Sequence, residues 1–388
     1  IQVWENMRAV DYLQSRPEVL RDKIGITGTS GGGNQTIYAG ALDDRFKCVV
    51  PVCSVGNYQA YLGAACCMCE LVPGALTFTE EWQVLGLVAP RALMVINATR
   101  DAVQFSVAEA RKSVAGARRV FELFDRGAAI RHVAVESGHA YNQPMREAMY
   151  GWMTRYLKGQ GDGSPIAEPK VTPQDREAIR VWPGTSRPDD HVNLPRFARH
   201  LADALMKRHV LPTHAEHWEA EAEWRVAGLK RMCGPWAKTD RKKTVVRSVD
   251  GVTELEFEVE PSLSLHARWR QGTARSGKLA VLVDLKGQQV AESSAVHRSL
   301  QKAGWDVGVL NLRATGKLAP RSNRVRRALD HNASQWGMWV GRPLLTQWVN
   351  DLRSFLDILD EAVYGESRSL PPIRLVGLGT SGAVTTAA

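Results

Sequence analysis

Short apolar runs and stretches of helical spacing alternate along the first part of the chain. Apolar side chains recur every three or four positions over 2–14, which is the spacing of an amphipathic helix. The β-rich runs lie at 23–27, 48–53, 92–97 and 130–135, and further helical stretches lie at 31–42, 107–117 and 143–157. Strands that alternate with helices in this way predict a mostly parallel sheet with helices on both faces.

The composition changes after this region, and the alternation then returns. Gly, Asp, Ser, Pro and Glu dominate 159–173, which is typical of a linker, and polar helical stretches follow at 193–208 and 215–229. Further on, strand-like runs lie at 244–258 (around the turn Asp250-Gly251), 279–285, 307–312 and 373–378, with helical stretches at 293–303 and 348–362. We therefore expect an α/β protein in three parts: 1–160, a linker and helical bridging segment over 161–240, and 241–388.

The two ends of the chain carry the same unit. A helix with Asn6-Met7-Arg8 precedes a strand and Gly28-Thr29-Ser30-Gly31-Gly32, and a helix with Asp351-Leu352-Arg353 precedes a strand and Gly379-Thr380-Ser381-Gly382-Ala383. A tandem duplication explains this repeat, with 1–160 as the C-terminal part of one module and 241–388 as the N-terminal part of the next. Because the chain opens within a predicted helix, we expect the N-terminus of the protein to precede Ile1.

The first repeated turn has the pattern of a nucleophile elbow. Gly28-x-Ser30-x-Gly32 lies between a predicted strand and a predicted helix, and such a turn projects a serine hydroxyl off the sheet. The N–H of the next residue, Gly31, is then free to stabilise an oxyanion. A glycine-rich turn without catalysis is the alternative explanation of the pattern.

A serine hydroxyl needs a general base to act as a nucleophile. The sequence contains an acid and a histidine in the order expected after a nucleophile elbow. Asp101 follows the strand-like run 92–97, and His139 follows the last strand candidate of the first part, which gives the order Ser, Asp, His. In these roles His139 takes the Ser30 proton and Asp101 holds the imidazole, so that an acyl group passes to water through an acyl-enzyme. Asp125 and His132 are the competing acid and histidine.

The second repeated unit carries a further candidate nucleophile, Ser381. Its oxyanion donors would be Gly382 and the loop residues Gly287 and Gln288, which follow the strand 279–285. The corresponding loop of the first module would precede Ile1. Since the loss of one oxyanion donor typically costs about 10²–10³ in rate, we expect weak or no ester turnover from this chain alone.

Charge and hydropathy exclude some classes of function. The 388 residues carry a formal charge of +9, but the basic residues are scattered and no aromatic side chains lie among the densest group over 313–327. We therefore expect no nucleic-acid partner. No run approaches the ~20 apolar residues of a membrane span, so we expect no membrane partner. Oligomeric state and localisation stay open, with secretion or a periplasmic location expected if a preceding segment carries a signal peptide.

The cysteines do not indicate a disulfide framework, because five of the six lie within 48–69. Thiolate metal sites usually have a second ligand pair at a distance, and only Cys48 and Cys53 could complete the group Cys66-Cys67-Met68-Cys69. We expect no metal and no cofactor, and we interpret this group as a buried loop beside the active site.

Together, these motifs resemble a bacterial group of α/β-hydrolases described as acetyl xylan esterase-like. The resemblance covers 1–157 and depends on the segments 26–33, 41–45, 67–74, 87–91, 138–142 and 145–151 and on the turn that ends in Asp101. It implies an α/β-hydrolase fold, modules in tandem, and a catalytic triad of Ser30, Asp101 and His139.

The resemblance also implies a function, which is a serine carboxylic-ester hydrolase that removes acetyl groups from a carbohydrate. The residues themselves leave three alternatives open: a peptidase or a lactone hydrolase with the same triad, and a non-catalytic binding module. The expected partner is a small-molecule or carbohydrate ester.

Overall fold

The computed structural model of the chain describes residues 1–64, 71–210, 212–234, 244–273, 277–321, 323, 325, 328, 330–365 and 370–388. They form two compact units. One unit contains Ile1–Ile166 together with Met232–Ala388, and the other contains Ala167–Arg231. The predicted division at 160 and 240 into parts of two modules stays a prediction.

Helices and strands alternate along the described residues much as the sequence predicts. The helices are α1 Gln2–Ser15, α2 Gly31–Leu42, α3 Tyr58–Ala64, α4 Glu81–Gly86, α5 Val107–Glu122, α6 Gln143–Met153, α7 Leu194–Met206, α8 Ala215–Cys233, α9 Gln288–Glu292, α10 Ala295–Lys302, α11 His331–Trp339, α12 Leu344–Ile358 and α13 Gly382–Ala387. The strands are β1 Ile24–Thr29, β2 Phe46–Val52, β3 Ala92–Ala98, β4 Ile130–Val135, β5 Thr244–Val249, β6 Val252–Glu260, β7 Leu263–Arg270, β8 Leu279–Asp284, β9 Asp306–Asn311 and β10 Ile373–Leu378. Helices α6 and α12 continue as short π-helical turns over Thr154–Lys158 and Leu359–Tyr364.

The first sheet has four parallel strands in the order β1-β2-β3-β4. Both of its faces are covered, because neighbouring side chains of β3 point into different clusters. Leu93 belongs to a cluster that includes residues of α2 and α5, whereas Met94 packs with residues of α6. This explains the continuous apolar run over 92–96 of β3, which has no polar face.

The second sheet has six strands in the order β10-β8-β9-β7-β6-β5. Strands β10, β8 and β9 are parallel to one another, and β7, β6 and β5 add to them in antiparallel fashion. Its main cluster contains Leu352 and Phe355 of α12, and its second cluster contains Ala291 of α9. The predicted α/β class with a mostly parallel sheet and flanking helices is confirmed.

Helix α11 joins the two sheet-bearing segments. Trp339 is fully buried in the hydrophobic cluster of the first sheet, where its ring lies 4.9 Å from that of Tyr58. Beside it, Gly74 N donates to Met338 O at 2.7 Å. The tandem-module interpretation stays a prediction, but the two sheets are packed within one unit.

Candidate active site

Ser30 occupies a sharp turn between β1 and α2. Its backbone has φ 56° and ψ −122°, a conformation that a non-glycine residue adopts only where the surroundings impose it. The Ser30 N–H donates to Val52 O at 3.0 Å, which ties the turn to the end of β2. This is the strained geometry predicted for a nucleophile elbow.

The glycines around Ser30 differ in their steric role. A Cβ on Gly28 would lie 2.6 Å from the carbonyl carbon and oxygen of Gly32, so no larger residue fits there without a backbone shift. A Cβ on Gly32 would meet nothing within 4 Å. The turn therefore requires glycine at position 28, two residues before the serine. It does not require glycine at position 32, two residues after it.

Gly31 is the first residue of α2, and the first N–H groups of a helix have no intrahelical acceptor. Its N–H lies directly after the Ser30 turn and at the positive end of the helix dipole. This is the arrangement of an oxyanion donor.

His139 and Asp101 form a close pair beyond β4 and β3. The imidazole Nδ1 lies 2.9 Å from each carboxylate oxygen of Asp101. The Asp101 side chain is 2% exposed and that of His139 is 40% exposed, so the carboxylate is enclosed while the ring has access to solvent. Asp101 also accepts the Ala102 N–H at 2.7 Å, which leaves the carboxylate oriented by its own turn.

Backbone hydrogen bonds bring the acid and histidine loops together. Beyond the paired part of β3 and β4, Thr99 N donates to Val135 O and Arg100 N donates to Ser137 O, each at 3.0 Å. Asn97 supports the start of the acid turn, because its buried amide donates to Val55 O at 3.0 Å. The proximity of Asp101 to His139 follows from this continued pairing.

Two residues that follow His139 are held against the other strands. Cys53, directly after β2, donates from Sγ to Ala140 O at 3.4 Å. Tyr141 shares a hydrogen bond of 2.7 Å with Thr27 Oγ1 on β1, the strand that ends at the elbow. Burial raises the pKa of the Tyr141 hydroxyl above its ordinary value. The histidine loop is thereby fixed over the nucleophile strand.

Sequence reasoning missed these supporting residues, together with Phe105. The Phe105 ring is buried and lies 5.8 Å from the imidazole of His139 at an angle of 32°. The only local signal for them is their position at the carboxyl ends of strands or in the loop after such an end, where sites of this fold gather.

The three predicted residues follow the carboxyl ends of β1, β3 and β4, and Asp101 and His139 are hydrogen-bonded to each other. Among the described residues, Ser30 Oγ forms no hydrogen bond with His139. Catalytic hydrogen bonds are often long before substrate binds and tighten in its complex. The assignment of Ser30, Asp101, His139 and Gly31 as site residues therefore stays a prediction.

The competing residues lie elsewhere. His132 is within β4, and its Nε2 lies 3.0 Å from Asn97 Oδ1. Burial lowers the pKa of His132 to about 4. Asp125 precedes β4, which places it near the amino end of that strand and away from the carboxyl ends where Asp101 lies.

The second candidate nucleophile has different geometry. Ser381 is fully buried, its φ is −71°, and its hydroxyl donates to Val283 O at 2.9 Å and also to Leu378 O. This arrangement does not favour attack on a substrate.

The predicted oxyanion loop of the second module has its N–H groups occupied. Gly287 N donates to Asp284 O at 2.9 Å, and Gln288 N donates to Asn311 Oδ1 at 3.2 Å. The loop lines a cavity of about 720 Å³. Gly382 is the first residue of α13 and is the remaining predicted donor.

Three metal-ligating side chains meet at the first site. Donor atoms of Cys53, Asp101 and His139 lie within 4.8 Å of one another. The cysteines Cys66, Cys67 and Cys69 lie outside the described residues. No helix among the described residues is both long enough and apolar enough to cross a bilayer.

Sequence comparison adds two matches. Residues 3–70 match the model of the prolyl oligopeptidase family. A stretch of 105 residues is 43% identical to YtaP of Bacillus subtilis (strain 168), whose name describes it as a hydrolase. That stretch covers 26% of this chain and 35% of YtaP, so the chain spans about a third of this relative.

Solved structures with partial similarity include two glucuronoyl esterases. One, of carbohydrate esterase family 15 from Caldicellulosiruptor kristjansonii, is 18% identical, with 44% of this chain and 53% of that chain covered and a TM-score of 0.38. The catalytic domain from Hypocrea jecorina is 17% identical, with 47% and 57% covered and a TM-score of 0.36.

The fold and the sequence matches agree on the class of protein. The parallel sheet, the elbow after β1 and the identity with a hydrolase confirm the predicted α/β-hydrolase class.

Proposed function

We propose that the chain is a serine carboxylic-ester hydrolase in which Ser30 is the nucleophile, His139 the general base and Asp101 the residue that orients the imidazole. One observation carries the proposal: the His139–Asp101 pair lies at the sheet edge where the strained turn presents Ser30. Such a constellation is recognised by its geometry and roles.

The reaction proceeds in two acyl-transfer steps. Ser30 Oγ attacks the ester carbonyl carbon while His139 Nε2 takes the hydroxyl proton, and the Gly31 N–H stabilises the resulting oxyanion. The alcohol leaves with the proton returned by His139, and Ser30 keeps the acyl group. Water then attacks the acyl-serine, again losing a proton to His139, and the carboxylic acid departs.

Asp101 contributes without changing its protonation state. Its carboxylate fixes the tautomer that carries the ring proton on Nδ1, so the lone pair of Nε2 is directed toward Ser30. The charge that develops on the imidazole faces a carboxylate that is almost fully enclosed. A Coulomb interaction is stronger there than in bulk water.

The finer substrate class follows from the acetyl xylan esterase-like resemblance, so we propose an acetylated carbohydrate as the natural substrate. A peptidase is the second candidate, because residues 3–70 match the prolyl oligopeptidase family. The two differ in the leaving group, since an amine must be protonated as it departs whereas an activated alcohol need not be.

A substrate panel tests the proposal and separates the candidates. The full chain is assayed with p-nitrophenyl acetate, an acetylated xylo-oligosaccharide and a prolyl p-nitroanilide peptide, each alongside Ser30→Ala and His139→Ala. We expect a burst of p-nitrophenol close to one equivalent per chain, followed by slower turnover, and loss of both in the two variants. Hydrolysis that survives Ser30→Ala would overturn the assignment, and cleavage of the peptide but not the esters would favour the peptidase.

A further inference from the structure

We propose that Cys53, Asp101 and His139 form an inhibitory Zn²⁺ site. Their donor atoms lie within 4.8 Å of one another, and they supply the three ligand types that Zn²⁺ prefers: a thiolate, a carboxylate and an imidazole. The metal site stands on this geometry alone. The inhibitory consequence rests in addition on the proposed function of His139.

The spacing fits a tetrahedral ion after a small adjustment. Zn–S bonds of about 2.3 Å and Zn–N or Zn–O bonds of about 2.0–2.2 Å place tetrahedral ligand atoms roughly 3.5 Å apart. The His139–Asp101 pair at 2.9 Å must open by roughly 0.6 Å to reach this value, and a spacing as long as 4.8 Å must close by roughly 1.3 Å. The side chain of His139 is 40% exposed, so an ion enters from that side and keeps a fourth position for water.

The thiol is held in place by the backbone around it. Cys53 has φ 47°, its N–H donates to Ile96 O at 2.8 Å, and its Sγ faces Ala140 O. Cys53 is fully buried, so its position varies little. A ligand fixed in this way loses little entropy when the metal binds.

The charges balance when Zn²⁺ binds. The ion displaces the thiol proton to solvent, so one thiolate and the Asp101 carboxylate neutralise its two positive charges. His139 binds through Nδ1, the nitrogen that faces Asp101. No oxidant, reductant or further reactant is needed.

A metal ion bound to Nδ1 prevents His139 from acting as the general base of the proposed reaction. The ring proton must then lie on Nε2, which leaves no lone pair to accept the Ser30 proton. Asp101 is also withdrawn from its role as the orienting carboxylate. Occupancy of the site therefore stops ester hydrolysis, and a chelator restores it.

The binding experiment requires a background free of other thiol ligands. We use the full chain with Cys66, Cys67 and Cys69 replaced by serine, so that these three closely spaced thiols do not compete for zinc. Zinc affinity is measured by competition with a chromophoric chelator, and Co²⁺ substitution reports a thiolate ligand through its charge-transfer absorption. Cys53→Ala is compared with Cys48→Ala, which removes a buried thiol near the opposite, amino end of β2.

The expected result is one zinc per chain in this background and in its Cys48→Ala variant. We expect Cys53→Ala to weaken binding by at least about 100-fold, because loss of outer-shell partners alone costs about 10–100-fold. The cobalt–thiolate band should vanish with it. Zinc binding and a cobalt–thiolate band that are unchanged in Cys53→Ala would overturn the proposal.

Ser30→Ala separates the two proposals. This variant should bind zinc as the background does, since the serine is not a ligand. Zinc binding that depends on Cys53 in a chain without any Ser30-dependent hydrolysis would refute the proposed function and leave the metal site intact. Hydrolysis that zinc does not slow, at concentrations that fill the site, would overturn the inhibition.

Discussion

Ser30 and Ser381 close corresponding turns after β1 and β10, yet their backbones differ: φ is 56° at Ser30 and −71° at Ser381. Ser30, with its positive φ, lies between β1 and α2. Ser381 lies in a helical turn, and its hydroxyl donates to Val283 O. A matching sequence pattern has therefore produced two different environments. Only the first leaves the hydroxyl available for chemistry.

Asp101→Asn should keep the fold and lower kcat. Asparagine cannot impose the required tautomer on His139, and the corresponding change in a serine protease lowers kcat by about 10⁴. The measurement is the rate of p-nitrophenyl acetate hydrolysis. Asp125→Asn is the matched control, because Asp125 has φ 55°, which asparagine tolerates. Equal rates in the two variants would refute the assignment of the acid.

Gly28→Ala and Gly32→Ala should change stability in opposite directions. The alanine methyl group at 28 would lie 2.6 Å from the backbone of Gly32, which should cost about 1–3 kcal/mol and distort the turn. At position 32 the methyl group meets open space, and alanine favours the helix by up to about 1 kcal/mol. Denaturant unfolding of both variants measures the difference. Destabilisation of the same size in both would contradict the steric account.

Arg313 should contribute more to stability than the surface arginine Arg268. The Arg313 guanidinium forms hydrogen bonds with the fully buried Asp351, at 2.5 Å from Nη2, whereas Arg268 pairs with the exposed Glu254. Arg313→Met leaves a buried carboxylate without its cation and should cost about 3–5 kcal/mol. Arg268→Met should cost no more than about 1 kcal/mol. Unfolding curves that shift equally would show that burial of the pair is irrelevant.

His132 should make the protein less stable as the pH falls. Burial lowers the pKa of His132 to about 4 in the folded chain, against about 6.5 when unfolded, so between these values the unfolded state binds the extra proton. The fold keeps its full stability with respect to His132 above pH ~6.5, where the imidazole is neutral in both states, and loses stability as the pH falls toward 4. Between pH 7.5 and 5 the free energy of unfolding should fall by roughly 1–2 kcal/mol more in the unsubstituted chain than in His132→Gln. The same loss in both chains would contradict this origin.

The sequence patterns predicted elements whose signal is local. The helix 31–42 and the strands 130–135 and 373–378 have the predicted bounds, because periodicity and the flanking turn residues mark them. Strand β7 and helix α11 were not predicted. Strand β7 pairs with β6 just before it and also with β9 further along the chain, and Trp339 of α11 is buried against the first sheet, so contacts with distant segments help to position both elements.

The candidate site likewise has features that the sequence predicts and features that it does not. The order of Ser30, Asp101 and His139 follows from the strand order of the fold, and the spacing of the motifs along the sequence identifies these three residues. The hydrogen bonds from Cys53 and Tyr141 depend on which atoms meet after the strands pair, which no spacing rule reports. They nevertheless decide where the imidazole lies.

The most direct test of the account is covalent labelling of the intact chain with a fluorophosphonate probe, mapped by peptide mass spectrometry. The account predicts a single adduct on Ser30, which is lost in His139→Ala and unchanged in Ser381→Ala. An adduct on Ser381, or labelling of Ser30 that does not depend on His139, would contradict it.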